Sequence, residues 1–160
     1  MLAADAYPPE DGATYLENAR IKARFGRSAA APHEWVLGED SGIEVDALGG
    51  GPGVESARWA KGREAEKLLE ALADEEARGA RYVCELVAVA PDGREVRGTG
   101  VLEGEIARER RGSGGFGFDP VFVPTGETLT VAELGDQWKT ASSHRARAAR
   151  ALAAALQSRS

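Results

Sequence analysis

The sequence predicts an α/β fold, a single domain of 160 residues built on a long, partly antiparallel sheet. Three observations carry that reading. Tyr82 to Ala90 is an almost uniformly apolar run rich in β-formers. It breaks at Pro91-Asp92-Gly93 and is followed by the alternating run Glu95 to Ala107, the pattern of two strands joined by a turn. Helical patterns stand on both sides of that pair in the chain, and no internal repeat is visible.

Residues 1 to 12 read as loop, with Pro8-Pro9 and Gly12. Thr14 followed three residues later by Glu17 is a capping-box pattern, so a helix is expected from about Tyr15 to Phe25, ending near Gly26. Asn18 and Lys22, four apart, share one face of it. Residues 30–34 read as a linker, Trp35 to Glu39 as a strand, and Ile43 to Leu48 as a second strand beyond an acidic turn. The run Gly49-Gly50-Gly51-Pro52-Gly53 is neither helix nor central strand. A structural bend is the favoured reading. A phosphate cradle is the other, although the Gly-Lys-Ser/Thr ending of a P-loop is missing.

A helix is expected from about Arg63 to Ala77, with Leu68, Leu69 and Leu72 on one face and Gly79 closing it. After the two long strands, Arg108 to Gly117 is a basic, glycine-rich loop, read as solvated. Phe118 to Val123 returns to strand, Thr130 to Leu134 forms a short helix, and Ser142-Ser143-His144-Arg145 caps a last helix to about Gln157. The alanine-rich end of that helix reads as a surface or docking element. Trp59 and Trp138 read as packing residues.

A hydrophobic content of 42% and a charged content of 29% are ordinary for a soluble globular protein. The net charge of −6 argues against broad binding to nucleic acid, and leaves room for a small anion in a local basic pocket. No apolar run reaches membrane-spanning length, and Met1 to Glu10 lacks the pattern of a signal peptide. The single cysteine, Cys84, lies in an apolar strand and reads as an inert core residue. It fits a reducing, cytoplasmic compartment.

The chemistry is concentrated in Gly38-Glu39-Asp40-Ser41-Gly42. Two acids at the end of a short strand could hold a divalent cation, since magnesium takes oxygen ligands from one or two carboxylates, with water and phosphate completing its shell. A solvated hairpin turn is the competing reading.

Several further stretches, taken together, make the chain resemble a known family. They are Asn18-Ala19-Arg20-Ile21-Lys22-Ala23, Asp40-Ser41-Gly42, Leu48-Gly49-Gly50 to Gly53, Ser56-Ala57-Arg58, Gly114-Gly115-Phe116-Gly117-Phe118-Asp119-Pro120, Thr130 to Leu134 with Lys139, and Ser143-His144-Arg145. In order and spacing they resemble the inosine/xanthosine triphosphate pyrophosphatase family, house-cleaning enzymes for deaminated purine nucleoside triphosphates. The glycine-aromatic-acid stretch and the Ser-His-Arg triplet are the most specific part.

The resemblance implies a long mixed β-sheet flanked by helices in two lobes, with the site in the cleft between them. It also implies magnesium dependence, a homodimer, and hydrolysis of a purine nucleoside triphosphate such as ITP, dITP or XTP to the monophosphate and pyrophosphate. By resemblance, Asp40 is the proton acceptor and a metal ligand, and Glu10 a second metal-binding acid. Glu39 takes an acidic position beside the base where many members have Asp. Ser41 contacts the nucleotide, and Lys22 faces the phosphates. Phe116, Gly117, Phe118 and Asp119 line the base pocket, with Lys139, His144 and Arg145 completing the base and sugar contacts. Arg145 and His144 can donate to a 6-keto oxygen, where adenine carries an amino group; a site built on such donors can discriminate by ~10⁴ or more.

Members of the family begin with a strand and a Thr/Ser-x-Asn-x-x-Lys turn. The one asparagine here, Asn18, already belongs to the helix motif, so the expectation is that the first β-α unit is missing and that the sheet keeps an unpaired edge. Met1-Leu2-Ala3-Ala4 reads as mid-protein sequence. The alternative function is a truncated or catalytically silent relative that binds nucleotides or dimerises. A weaker third is an unrelated metal-dependent phosphohydrolase using Glu39 and Asp40.

Overall fold

The computed structural model describes residues 8–158. The part of the loop-like N-terminal reading that covers residues 1–7, including Met1-Leu2-Ala3-Ala4, lies outside the described residues.

Helix α1, Tyr15–Ala29, starts where the sequence places it, with the Thr14 hydroxyl accepting from the Glu17 amide. The helix runs past Gly26 because that glycine does not end it. A Cβ there would stand 2.6 Å from a Val36 methyl, so Gly26 lets the helix lie close to the next strand. Arg27 closes the C-terminus by donating to the carbonyls of Ala30, Ala31 and Glu34.

The expected acidic turn does not form. Val36–Val45 is one continuous strand, β1, through Gly38-Glu39-Asp40-Ser41-Gly42. Gly38 serves close packing: a Cβ there would lie 2.1 Å from the Ala19 carbonyl and 2.6 Å from the Ala23 amide of α1. Strand alternation then sends Gly38 and Asp40 toward α1, and Glu39 and Ser41 to the opposite face.

The glycine run after β1 is a bend. Gly49 and Gly50 have φ of 63° and 89°. The amides of Gly49, Gly50 and Gly51 are spent on the carbonyls of Asp46, Val45 and Leu48, which leaves none of these three amides for a phosphate.

Short helix α2, Ser56–Trp59, leads to α3, Glu64–Ala71. The latter is shorter than expected. Leu68 and Leu72 are buried, but Asp74-Glu75-Glu76 offers no further apolar residue to the core. Arg78 ties the segment down by donating to the carbonyls of Leu72, Glu75, Ile106 and Ala107. Gly79 opens the following strand instead of ending a helix.

Strands β2, Gly79–Val89, and β3, Glu95–Ile106, form the expected hairpin. The predicted strand at 118–123 starts late: Phe118 to Val121 is a turn, with Val121 and Phe122 amides bonded to the Phe118 carbonyl, and β4 is Phe122–Pro124. The sheet order is β1-β2-β3-β4, and the partly antiparallel sheet is antiparallel at every described pairing. Among the described residues β1 is an edge.

Helix α4, Val131–Ser142, begins on a capping box between Thr130 and Glu133. Its first piece stops at Leu134, as the sequence predicts, because Gly135 at φ 82° and ψ −178° breaks the helical backbone, and a second piece that the sequence did not show runs on to Ser142. Helix α5, His144–Gln157, is capped by Ser143. Its Ala148 and Leu152 are buried against Cys84, Leu86, Ala88 and Val96, so the docking helix docks on its own sheet. Gly98 and Gly100 let it approach: a Cβ on Gly98 would lie 2.3 Å from the Ala148 carbonyl.

Helices therefore cover both faces. Ala19 and Ala23 of α1 pack on Val87 and Val89 from one side. A larger core of Ile43, Leu68, Tyr82, Leu102, Phe118 and Phe122 closes the end of the sheet. Trp59 packs near Phe118 and under Lys67, and Trp138 also lies against this core, as packing residues.

Candidate active site

On the α1 face of β1, Asp40 is 6% exposed. The Asn18 amide donates to its Oδ2 at 3.2 Å and the Lys22 ammonium to its Oδ1 at 3.0 Å. Both partners come from one helix because residues four apart share a face. Lys22 also reaches the Glu39 carbonyl at 3.0 Å and Glu10 Oε1 at 2.8 Å. Asn18 is itself fixed, fully buried, with its Oδ1 accepting from the Gly12 amide.

Burial pushes the Asp40 carboxyl above the usual aspartate range, and Lys22 and Asn18 pull against that rise. The Lys22 ammonium is held above its usual value by its bonds to Glu10 and Asp40, which outweigh its own burial. A carboxylate kept partly out of water holds a proton more readily than one in bulk solvent, which suits it to accept one.

Glu10 and Asp40 thus present carboxylate oxygens to one cationic point. Hard oxygen donors of that kind fit a magnesium-sized cation. Among the described residues no group of three or more His, Cys, Asp or Glu side chains could hold a metal. Further ligands would have to be water and substrate oxygens, which is the usual way magnesium sits beside a phosphate. Glu39 and Asp40 do not form a side-by-side pair, because β1 is unbroken and turns them to opposite faces.

On that opposite face, Arg145 donates through Nε to Glu39 Oε1 at 3.2 Å and through Nη2 to the Ser41 hydroxyl at 2.9 Å. A cavity of about 450 Å³ opens beside them, lined by Ser41, Tyr82, Phe116, Gly117, His144 and Arg145 among others. Asp119, 5% exposed, anchors its wall. Asp119 Oδ2 accepts from the Lys139 ammonium at 2.7 Å and from the Phe116 amide at 3.1 Å, and its Oδ1 accepts from the Tyr82 hydroxyl at 3.1 Å. The Phe116 ring is 65% exposed, with Lys139 4.5 Å and Arg145 5.7 Å from its centroid.

His144, at the start of α5, stacks on Tyr82 with ring centroids 4.6 Å apart. Burial, helped by the charges of Arg145 and Lys139, pushes its imidazole down to about 3, so the ring is neutral at physiological pH. A second cleft of about 520 Å³ lies by Glu10, Lys22, Gly38 and Glu39.

The residues singled out from the sequence therefore form two groups, one on each side of β1. Glu10, Lys22 and Asp40 meet through direct contacts. Ser41, Phe116, Gly117, Phe118, Asp119, Lys139, His144 and Arg145 line the cavity on the opposite face. Asn18 was read as a helix-face neighbour of Lys22 and as part of the family's helix motif, with no role of its own, and it is the second anchor of Asp40. Tyr82 was hidden inside an apolar run.

The fold that carries this carboxylate–lysine pair and this aromatic-flanked pocket is shared with known proteins. The chain belongs to the Ham1 family, which matches residues 2–155. A dITP/XTP pyrophosphatase from Leifsonia xyli subsp. xyli is 47% identical over 159 residues, covering 93% of this chain and 77% of that protein. One from Opitutus terrae is 50% identical over 147 residues, covering 87% and 72%. Among solved structures, the Ham1 protein of Staphylococcus aureus matches with a TM-score of 0.85 at 36% identity, over 95% of this chain and 81% of its own.

Proposed function

We propose that this protein hydrolyses deaminated purine nucleoside triphosphates, such as ITP, dITP and XTP, to the nucleoside monophosphate and pyrophosphate. The observation that carries the reading is the buried Asp40, gripped by Asn18 and Lys22 across β1 from a pocket flanked by hydrogen-bond donors. Its relatives' shared designation as dITP/XTP pyrophosphatases supports the substrate class.

In this reading Asp40 takes the proton from the attacking water, and its raised affinity for a proton suits that task. The water oxygen bonds to phosphorus, the bond between the α and β phosphates breaks, and pyrophosphate leaves. Lys22 offsets phosphate charge from a position already fixed by Glu10 and Asp40. Magnesium, held by Glu10 and Asp40, would further neutralise the triphosphate. Phe116 lies against the base, and neutral His144 together with Arg145 donates to the 6-keto edge. Ser41 and Lys139 complete the contacts, with Gly117, Phe118 and Asp119 shaping the pocket. A homodimer and a cytoplasmic setting belong to the same proposal, and sedimentation tests the first. No helix among the described residues is long and apolar enough to cross a membrane.

The test is pyrophosphate release from ITP, XTP, GTP and ATP with magnesium, by the wild type and Asp40→Asn. Release from ITP and XTP above ATP is expected, with a loss of at least ~10²-fold in Asp40→Asn and abolition by chelator. A folded wild-type chain that releases pyrophosphate from none of the four would sink the proposal.

A further inference from the structure

Tyr82 lies on β2, where its neighbours are Ile43 of β1 and Leu102 of β3. Its ring sits against Phe122, with centroids 4.4 Å apart, and against the imidazole of His144 at 4.6 Å and an interplanar angle of 12°. Packing alone accounts for a ring at that position, and phenylalanine would supply it. The hydroxyl needs a different explanation.

That hydroxyl donates to Asp119 Oδ1, while both other donors to Asp119, the Phe116 amide and the Lys139 ammonium, bind Oδ2. The terminal torsion of an aspartate is broad and weakly staggered. Turning the plane about Cβ–Cγ moves both oxygens; bonds to one oxygen resist that turn weakly, and a donor on the second oxygen fixes the plane. Asp119 is 5% exposed, so water does not readily supply a replacement. Burial, followed by the Asp119 charge, keeps the Tyr82 hydroxyl protonated far above neutral pH, so it is always a donor.

We propose that Tyr82 is a positioning residue for the nucleobase: its hydroxyl fixes Asp119, and through Asp119 it sets the Phe116 backbone and the Lys139 ammonium relative to His144. The inference rests on the reading of this cavity as the base pocket. One side chain joins three separate parts of the wall: the turn carrying Phe116 and Asp119, helix α4 through Lys139, and helix α5 through the stacked His144. Phe116 is largely exposed, so little besides this network and its flanking cations determines where its ring stands.

The proposal specifies which kinetic parameter responds. The side-chain partners of Asp40 are Asn18 and Lys22 of α1, and neither bonds to Tyr82, Asp119 or Lys139. Loosening the wall therefore weakens base binding equally in the ground and transition states, which raises KM and spares kcat.

Tyr82→Phe removes the hydroxyl and keeps the ring, the His144 stack and the core. In the nucleotide-free protein, exchange of the Phe116 amide measured by NMR is expected to quicken about tenfold, because its acceptor turns away part of the time. With ITP, KM is expected to rise about tenfold with kcat within about twofold, the scale of one lost bond to a charged group. A wild-type exchange rate overturns the proposal, as does a fall in kcat at unchanged KM. The exchange measurement needs no turnover. A wild type that releases no pyrophosphate would refute the proposed activity, and exchange would then decide the role of Tyr82 alone.

Discussion

Replacing Gly100 by alanine should displace the start of α5, and with it two residues of the proposed base pocket. A Cβ at position 100 would lie 1.9 Å from the His144 carbonyl, 2.4 Å from the Ala148 amide and 3.0 Å from its Cα. All three are backbone, so no side chain can swing aside. Ordinary contact needs about 3.4 Å, so the first turn of the helix must retreat by about 1.5 Å along that line. Overpacking of this kind costs about 1–3 kcal/mol, and the close backbone contact places this site at the upper end. For a chain of this size a loss of about 2–3 kcal/mol lowers Tm by roughly 4–12 °C. His144 and Arg145 move with the turn, and a displacement of about 1 Å at a binding constellation can cost ~10²-fold in rate. Thermal melting and kcat/KM for ITP would be measured beside Thr99→Ala, an exposed neighbour on the same strand whose lost hydroxyl bonds to Glu85 should cost about 1 kcal/mol or less. A Gly100→Ala protein with wild-type Tm and wild-type kinetics would refute the claim that close helix–strand contact places the pocket.

Lys22→Met should move the acid limb of kcat/KM for ITP to higher pH. Burial already raises the Asp40 carboxyl and Lys22 is the chief group lowering it, so its loss lets the pKa climb further; Lys22→Arg should restore the limb, and an unmoved limb in the methionine variant would disprove the coupling. His144 supplies a stability prediction. In the unfolded chain it takes a proton near its ordinary ~6.5, whereas burial in the fold holds it neutral down to about 3. The unfolded state thus binds more protons between those values, so stability contributed by His144 is present above about 6.5 and lost as pH falls toward about 3. Urea titrations at pH 6.5 and 5 should show the wild type losing about 1–2 kcal/mol more than His144→Gln; equal losses would mean that the ring protonates in place.

How much of this was legible in the sequence depended on whether the signal was local. The start of α1 and the β2–β3 hairpin rest on a capping box and a Pro-Asp-Gly turn, and both were placed correctly. Gly26 and Gly79 were read as helix ends and Gly42 as part of a turn because glycine frees the backbone, yet Gly26 and Gly42 serve contacts with distant segments that no local window contains. That misreading also produced the supposed pairing of Glu39 with Asp40; in an extended strand neighbours face opposite ways. The short helix ending at Leu134 was legible because Gly135, with its positive φ, breaks the helical backbone there; the second helical piece up to Ser142 was not. At the candidate site, the family resemblance picked out residues that the fold then gathered into two groups. Asn18 was legible as a neighbour of Lys22 but not as a partner of Asp40, which is 22 positions away. Tyr82 was not legible, since one hydroxyl in an apolar run carries no pattern.

The alternation along β1 has a consequence for how such a protein can diversify. In the proposed enzyme the cutting group, Asp40, and one nucleotide contact, Ser41, sit on adjacent residues of one rigid bar, at the edge of the described sheet, facing opposite ways. Their spacing is set by covalent geometry and cannot drift. Their supports, however, come from different stretches of chain: residues 10–22 hold the blade, and residues 116–145 form the gauge that feels the base. Substitutions in the later stretch can regrind the gauge for another base while the blade stays in its mount. An insertion between Glu39 and Asp40 would instead turn the blade to the wrong side of the bar.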